Sequence, residues 1–117
     1  MGMVAATVAL LAGCKTGQSD ADAAWGQYVT QYAELYCDLR QDCNPGQFDD
    51  EFEGEMEHCK RSVVTNENKA RNKKLERECS FDEDEASECL AATEEMSCSD
   101  WQDGWHEDKC NPVWSCG

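Results

Sequence analysis

Sulfur is the chemistry this sequence offers most. Nine cysteines fall in 117 residues: Cys14, Cys37, Cys43, Cys59, Cys79, Cys89, Cys98, Cys110 and Cys116. A thiol can ligate zinc, exchange electrons, take a lipid or close a disulfide, and spacing decides among these. No C-x-x-C pair occurs, so zinc ribbons, thioredoxin-like redox sites and c-type haem attachment all lack their signature. Cys79 and Cys89 match half of a twin-cysteine helical hairpin, but its second half is missing. Setting Cys14 apart leaves an even number of cysteines, which in an oxidising compartment reads as four disulfides with the pairing open.

Cys14 stands apart because of what precedes it. Met3 to Ala12 is an uncharged stretch, mostly Val, Ala and Leu, followed by Gly13. An export signal needs about 7–15 apolar residues before a cleavage site of small residues. A membrane span needs about 20, and Lys15, Thr16, Gly17 and Gln18 end the run well short of that. No Lys or Arg precedes Cys14, so the usual basic start is missing. The competing reading is a buried N-terminal helix with an ordinary thiol. Leu11-Ala12-Gly13-Cys14 resembles the lipobox of bacterial lipoproteins. That resemblance implies residues 1–13 as a signal peptide, Cys14 lipidated as the mature N-terminus, and 14–24 as a lipidated cysteine and polar tether. Several acyl chains exceed what stable anchoring requires, at about 0.8 kcal/mol per buried CH₂. Lys15 in place of an aspartate leans the resemblance towards the outer membrane.

The remaining chain of about 100 residues is one domain's worth, with a modest core. Its formal net charge is −15. Nucleic acid and anionic headgroups should repel such a chain, so no nucleic-acid partner is expected and membrane attachment falls to the acyl group. Four Trp, three Tyr and three Phe argue against disorder.

Three helices are expected to position the cysteines. From Asp20, with Ser19 or Asp20 as N-cap, Trp25, Tyr28, Val29, Tyr32, Leu35, Tyr36 and Leu39 recur at helical steps, until Asn44-Pro45-Gly46 interrupts. Unbroken to residue 43, this helix would hold Cys37 and Cys43 about 9 Å apart along its axis. That is too far for one disulfide, so they need different partners. A second helix fits Asp49 to about Thr65, with Phe48, Phe52, Met56, Cys59 and Val63 inward and Gly54 as a weak point. Residues 60–77 then reverse the charge. They form either a solvated helical arm or a mobile connector, and Lys69, Arg71, Lys73, Lys74 and Arg77 are the candidate partner surface. The bland alternative is an exposed face that compensates the acidic helices. A third helix opens at Asp82, capped towards Glu85, with Phe81 stapling onto Ala86, and ends near Cys98. The Trp- and Cys-rich tail reads as an irregular cover pinned by Cys110 and Cys116. The expected fold is therefore all-α: a small three-helix, disulfide-stapled domain over residues 25–117.

Catalytic and metal signatures are thin. The two histidines are His58 and His106, and no G-x-S-x-G, H-E-x-x-H or phosphate-cradling glycine loop occurs. His106 could act as a base beside Asp103 or Glu107, yet nothing marks a nucleophile. Asp82-Glu83-Asp84-Glu85 lacks the alternating ligands and turn glycine of a calcium loop. His58 and Cys59 are helical neighbours and point apart. Trp101 and Trp105 among Asp100, Asp103, Glu107 and Asp108 suggest either a weak cation or sugar-stacking site or tryptophans closing a small core. No cofactor is implied.

Four pieces carry a wider resemblance. They are Leu11-Ala12-Gly13-Cys14, Tyr36-Cys37 through Cys43, Phe81-Asp82 through Cys89-Leu90-Ala91-Ala92 to Cys98, and Cys110 through Val113-Trp114 to Cys116-Gly117. Together they resemble the short cysteine-rich lipoproteins of myxobacteria and related delta-proteobacteria. The resemblance implies export and disulfides and lends no activity; the basic segment 69–77 falls outside it. The function expected is a lipid-anchored, non-enzymatic binding or structural module of the cell envelope, with an envelope protein or glycan as partner. The alternatives are an antagonist or immunity-type protein steered to a basic target and, further off, a small envelope hydrolase.

Overall fold

The structure is a computed structural model that describes residues 20–116, so Cys14, the expected signal peptide over 1–13 and most of the expected tether lie outside the described residues. Helix α1 (Asp20–Cys43) is the spine. Helices α2 (Pro45–Phe52) and α3 (Met56–Glu76) follow, then a short strand β1 (Ser80–Phe81) and helix α4 (Glu83–Glu94). Two small helices, α5 (Cys98–Gln102) and α6 (Trp105–Cys110), lead through a 3₁₀ turn (Asn111–Val113) into β2 (Trp114–Ser115). The all-α, disulfide-stapled expectation holds, and α1 takes in residues 20–24 of the expected tether.

Helix α1 forms because its apolar positions recur every three or four residues and it contains no proline. Trp25, Tyr28, Val29, Tyr32, Ala33 and Cys37 are buried along one stripe, with Tyr36 packed beside them. Pro45 then acts twice. It ends α1, since the residue before it resists helical backbone, and it starts α2 from the first-turn position where its missing N–H costs nothing.

The expected single second helix is two. Glu53 (φ 57°) and Gly54 (φ 72°) both adopt left-handed backbone, and the Glu55 N–H bonds back to the Phe52 carbonyl. Glycine adopts that conformation without penalty, and a helix terminates there. The inward set survives the break: Phe48, Phe52, Cys59 and Val63 are buried and Met56 is packed against the core. Helix α3 runs on to Glu76, so the basic stretch is a helical arm and not a connector.

Helix α3 lies antiparallel to α1. Cys37 bonds to Cys59 near one end of the pair, and Arg71 bonds to Asp22 at the other. Helix α4 runs parallel to α1, from Phe81 packed on Trp25 and Tyr28 to Cys98 bonded to Cys43 just beyond its end. Asp82 caps α4 by accepting the Glu85 N–H at 3.0 Å, as the sequence predicts. Strand β1 pairs antiparallel with β2, Ser80 opposite Ser115 and Phe81 opposite Trp114.

Four disulfides join Cys37 to Cys59, Cys43 to Cys98, Cys79 to Cys116 and Cys89 to Cys110. Cys37 and Cys43 have different partners, as one continuous helix requires. The bridged residues are 22, 55, 37 and 21 apart in sequence. On chain-entropy grounds each closure restricts the unfolded state by about 3–4 kcal/mol. The three longest helices, α1, α3 and α4, are thereby each tied to another part of the chain.

Candidate functional site

The aromatic stripe of α1 continues past the core into a partly open cluster. Tyr28 stacks on Tyr32 at 5.6 Å, and Tyr32 lies 5.7 Å from Tyr36. From the tail, α5 brings Trp101 and α6 brings His106 against the same end. Trp101 meets Tyr36 edge-on at 5.2 Å, and its indole N–H donates to the Asn44 side-chain oxygen at 3.2 Å. The α5 helix that positions it opens with a capping box, Ser97 and Asp100 each bonding the other's backbone N–H.

His106 is held by Tyr32. The Tyr32 hydroxyl and His106 Nε2 are 2.8 Å apart, and the imidazole also lies 5.1 Å from the Trp101 ring. Burial depresses the His106 pKa, opposed by the nearby Glu107 charge, so the ring favours its neutral form. Burial, followed by the Glu67 carboxylate, pushes the Tyr32 phenol up. A neutral imidazole and a protonated phenol therefore share one hydrogen bond.

Two hollows flank Tyr36. One, about 370 Å³, is lined by Tyr32, Tyr36, Arg40, Phe52, Asn66 and Glu67, among others. The other, about 260 Å³, is bounded by Tyr36, Trp101, Gly104, His106 and Glu107. Gly104 (φ 84°) supplies the left-handed turn between α5 and α6 that brings His106 back over α1. Arg40 bridges the first hollow: it bonds Glu51 and sits 6.0 Å from the Tyr36 ring centre and 5.5 Å from that of Phe52. Glu67 is half-buried on the α3 wall, and burial raises its carboxyl pKa.

This arrangement positions aromatic edges, one guanidinium and carboxylates around open hollows, which suits recognition. Neither Asp103 nor Glu107 bonds His106, whose Nε2 contact is the Tyr32 hydroxyl. The rings of Tyr36, Trp101 and His106 pack on one another at 5.1–5.9 Å, leaving no slot between them for a stacked guest. Any ligand would meet their outer edges.

The other predicted residues fall elsewhere. His58 lies against Phe52, with Nδ1 3.9 Å from a Glu53 oxygen, and Cys59 is in a disulfide. Among the described residues no group of three or more His, Cys, Asp or Glu side chains could hold a metal ion. Trp101 and Trp105 are half-buried, so Trp101 closes the cluster and leaves no broad sugar platform, while Trp105 carries Lys109 at 5.4 Å. Of the basic set, Arg71 turns inward to Asp22 and lies 5.7 Å from the Trp25 ring centre. Lys69, Lys73 and Arg77 are exposed, and Lys74 is half-exposed.

Sequence reasoning missed Glu67, Arg40 and the Tyr32–His106 bond. Glu67 carries one available signal: it is an acid one turn beyond Val63 on the inward stripe of α3. The tyrosine and histidine are 74 residues apart, and no local pattern joins them. No described helix is long and apolar enough to cross a membrane. Compared with family models, curated proteins and solved structures, the chain gives no match in any of the three.

Proposed function

We propose that this protein is an exported lipoprotein of the cell envelope, anchored through Cys14 and acting as a non-enzymatic binding or structural module. Kinship with the cysteine-rich lipoproteins named above is part of the proposal. One observation supports it most. The eight cysteines after Cys14 pair completely within the domain, so disulfide bonding leaves over only the cysteine that follows Leu11-Ala12-Gly13. Dense disulfides fit an oxidising compartment. An acyl anchor would supply the attachment that an overall charge of −15 does not. The outer membrane is the proposed address, resting on Lys15, and the hollows beside Tyr36 are the proposed contact for an envelope protein or glycan.

Intact-mass analysis of protein from its native host tests this reading. The expected species begins at Cys14, carries added acyl mass and has no alkylatable thiol. A chain that retains residues 1–13, lacks acyl mass and alkylates at its cysteines would overturn it.

A further inference from the structure

The basic segment lies at a particular place in the fold. Because α3 is antiparallel to α1, its last turns stand beside the end of α1 that the tether enters. Trp25 Nε1 donates to Asn68 Oδ1 at 2.8 Å, and Asp22 bonds Arg71 one turn further on. Residues 72–76 continue about 7 Å past that pair in the direction from which the chain arrives. Cys14 is six residues from Asp20, a span that reaches at most about 20 Å.

The composition of this tip differs from the rest. Between Asn66 and Glu78 five basic residues meet three acids, with Asp22 of α1 paired to Arg71, whereas the rest of the chain sets five basic residues against twenty-one further acids. Of those three acids, Glu67 is half-buried against the α1 tyrosines, and Glu76 and Glu78 remain outside. Leu75 is 46 % exposed and is the one exposed large hydrophobic among the described residues. It lies one turn beyond Arg71 on the side of α3 that faces α1. Lysines in a last turn offset the helix dipole, which accounts for Lys73 and Lys74. It does not account for an exposed leucine or for Lys69 a turn earlier. The tip is also braced, since Cys79, three residues past the helix, is buried and bonded to Cys116.

We propose that the tip of α3, with Lys69, Lys73, Lys74, Leu75 and Arg77, is a second membrane contact that rests on anionic lipid headgroups beside the acyl anchor. The inference deepens the lipoprotein reading and depends on it for orientation. A single acyl attachment leaves a domain free to swivel; a basic tip with one apolar side chain at the same end would hold α1 upright and keep the Tyr36 end away from the bilayer. Repulsion from the rest of the protein does not forbid this. Charges in physiological salt are screened over about 8 Å, and the acids that open α4 start level with Asn68 and Lys69, where Glu83 stands by Ala24 and Gln27, so Lys73, Lys74 and Leu75 lie beyond them along α3. Charge and position favour lipid over an acidic protein partner, because the anchor would bring headgroups within reach of the tip at all times.

The test removes the anchor from the question. All core residues and all four disulfides lie within residues 25–116, so a chain of residues 15–117 keeps the folded body. Given an N-terminal hexahistidine, it can be held on vesicles containing a nickel-chelating lipid, made with phosphatidylcholine alone or with added phosphatidylglycerol. Amide hydrogen exchange at residues 72–78 is expected to slow about tenfold on the anionic vesicles, and high salt should erase the difference. Lys73→Glu with Lys74→Glu should abolish the slowing, and Leu75→Gln should weaken it; these side chains are at the surface, so folding is not at stake. Equal exchange on both vesicles, or slowing that survives charge reversal, overturns the proposal and leaves the lysines to an acidic protein or to the helix dipole. Acylation of Cys14 is read separately by mass, so the failure of either idea is distinguishable from the failure of the other.

Discussion

The two ends of the α1 aromatic stripe are built from similar residues and do different things. At the Trp25 end the ring is 4 % exposed and meets Tyr28, Phe81 and Trp114 at 5.4–5.5 Å. Its one polar atom is satisfied by Asn68, Arg71 covers it, and the β1–β2 pair closes over it. At the Tyr36 end, about 16 Å along the axis, the rings are half-exposed and flanked by hollows, with Arg40, Glu67 and His106 among them. The first end is sealed and lies at the start of α1. The second is open and points the other way. One stripe thus carries a closed apolar cluster at one end and a polar, imperfectly filled one at the other.

The largest expected difference between the ends comes from truncating their aromatic anchors. Trp25→Ala should lower unfolding free energy by about 3–5 kcal/mol, because it empties the sealed cluster. Tyr36→Ala should cost about half of that or less, since its site is already partly open to water. Urea unfolding of the oxidised protein measures both; similar losses would erase the distinction. Next in size is the staple that ties α1 to α5. Replacing Cys43 and Cys98 together by Ser should cost about 2–4 kcal/mol, since this bridge spans the longest separation of the four, 55 residues. Amide exchange in that variant should rise first around residues 98–106 and leave the Trp25 end protected.

Much of this was legible in the residues. Periodicity located α1 and the inward set Phe48, Phe52, Cys59 and Val63, and an acid at the start of a run identified the Asp82 cap. Cysteine parity gave the number of bridges, and helix geometry separated Cys37 from Cys43. What stayed hidden is non-local or conformational. Glu53 takes left-handed backbone with no side-chain reason to do so, and only Gly54 beside it hinted that the helix would break. The four-residue step from Phe52 to Met56 mimics an unbroken helix across that break. The β1–β2 pair, the disulfide partners and the Tyr32–His106 bond join residues from 21 to 74 positions apart, so no window of sequence contains them. The open cluster was less legible than the sealed one because its members are mostly polar residues recruited from five helices.

The smallest effects are the most specific to the open end. Tyr32→Phe removes the bond to His106 and should cost about 1 kcal/mol at neutral pH. The two titrating groups of this cluster then push in opposite directions. His106 has a pKa below its ordinary 6.5, so the unfolded chain binds its proton first. Its contribution is complete above pH 6.5 and is lost as pH falls from there through the folded-state value. Glu67 has a pKa above its ordinary 4.5, so the folded protein holds the proton longer. That carboxylate opposes folding at neutral pH and ceases to do so as pH falls through its raised value towards 4.5. Glu67→Gln should therefore stabilise the protein at pH 7, by about half a kcal/mol given the partial exposure of the site, and have no effect near pH 4. His106→Gln should flatten the pH dependence of stability just below 6.5, where Glu67→Gln leaves the histidine's share intact. Urea midpoints measured from pH 4 to pH 8 separate the two. A Glu67→Gln variant that is less stable than the parent at pH 7 would mean that the carboxylate makes a favourable contact across the hollow, and the open end would then be a stabilised cluster like the one around Trp25.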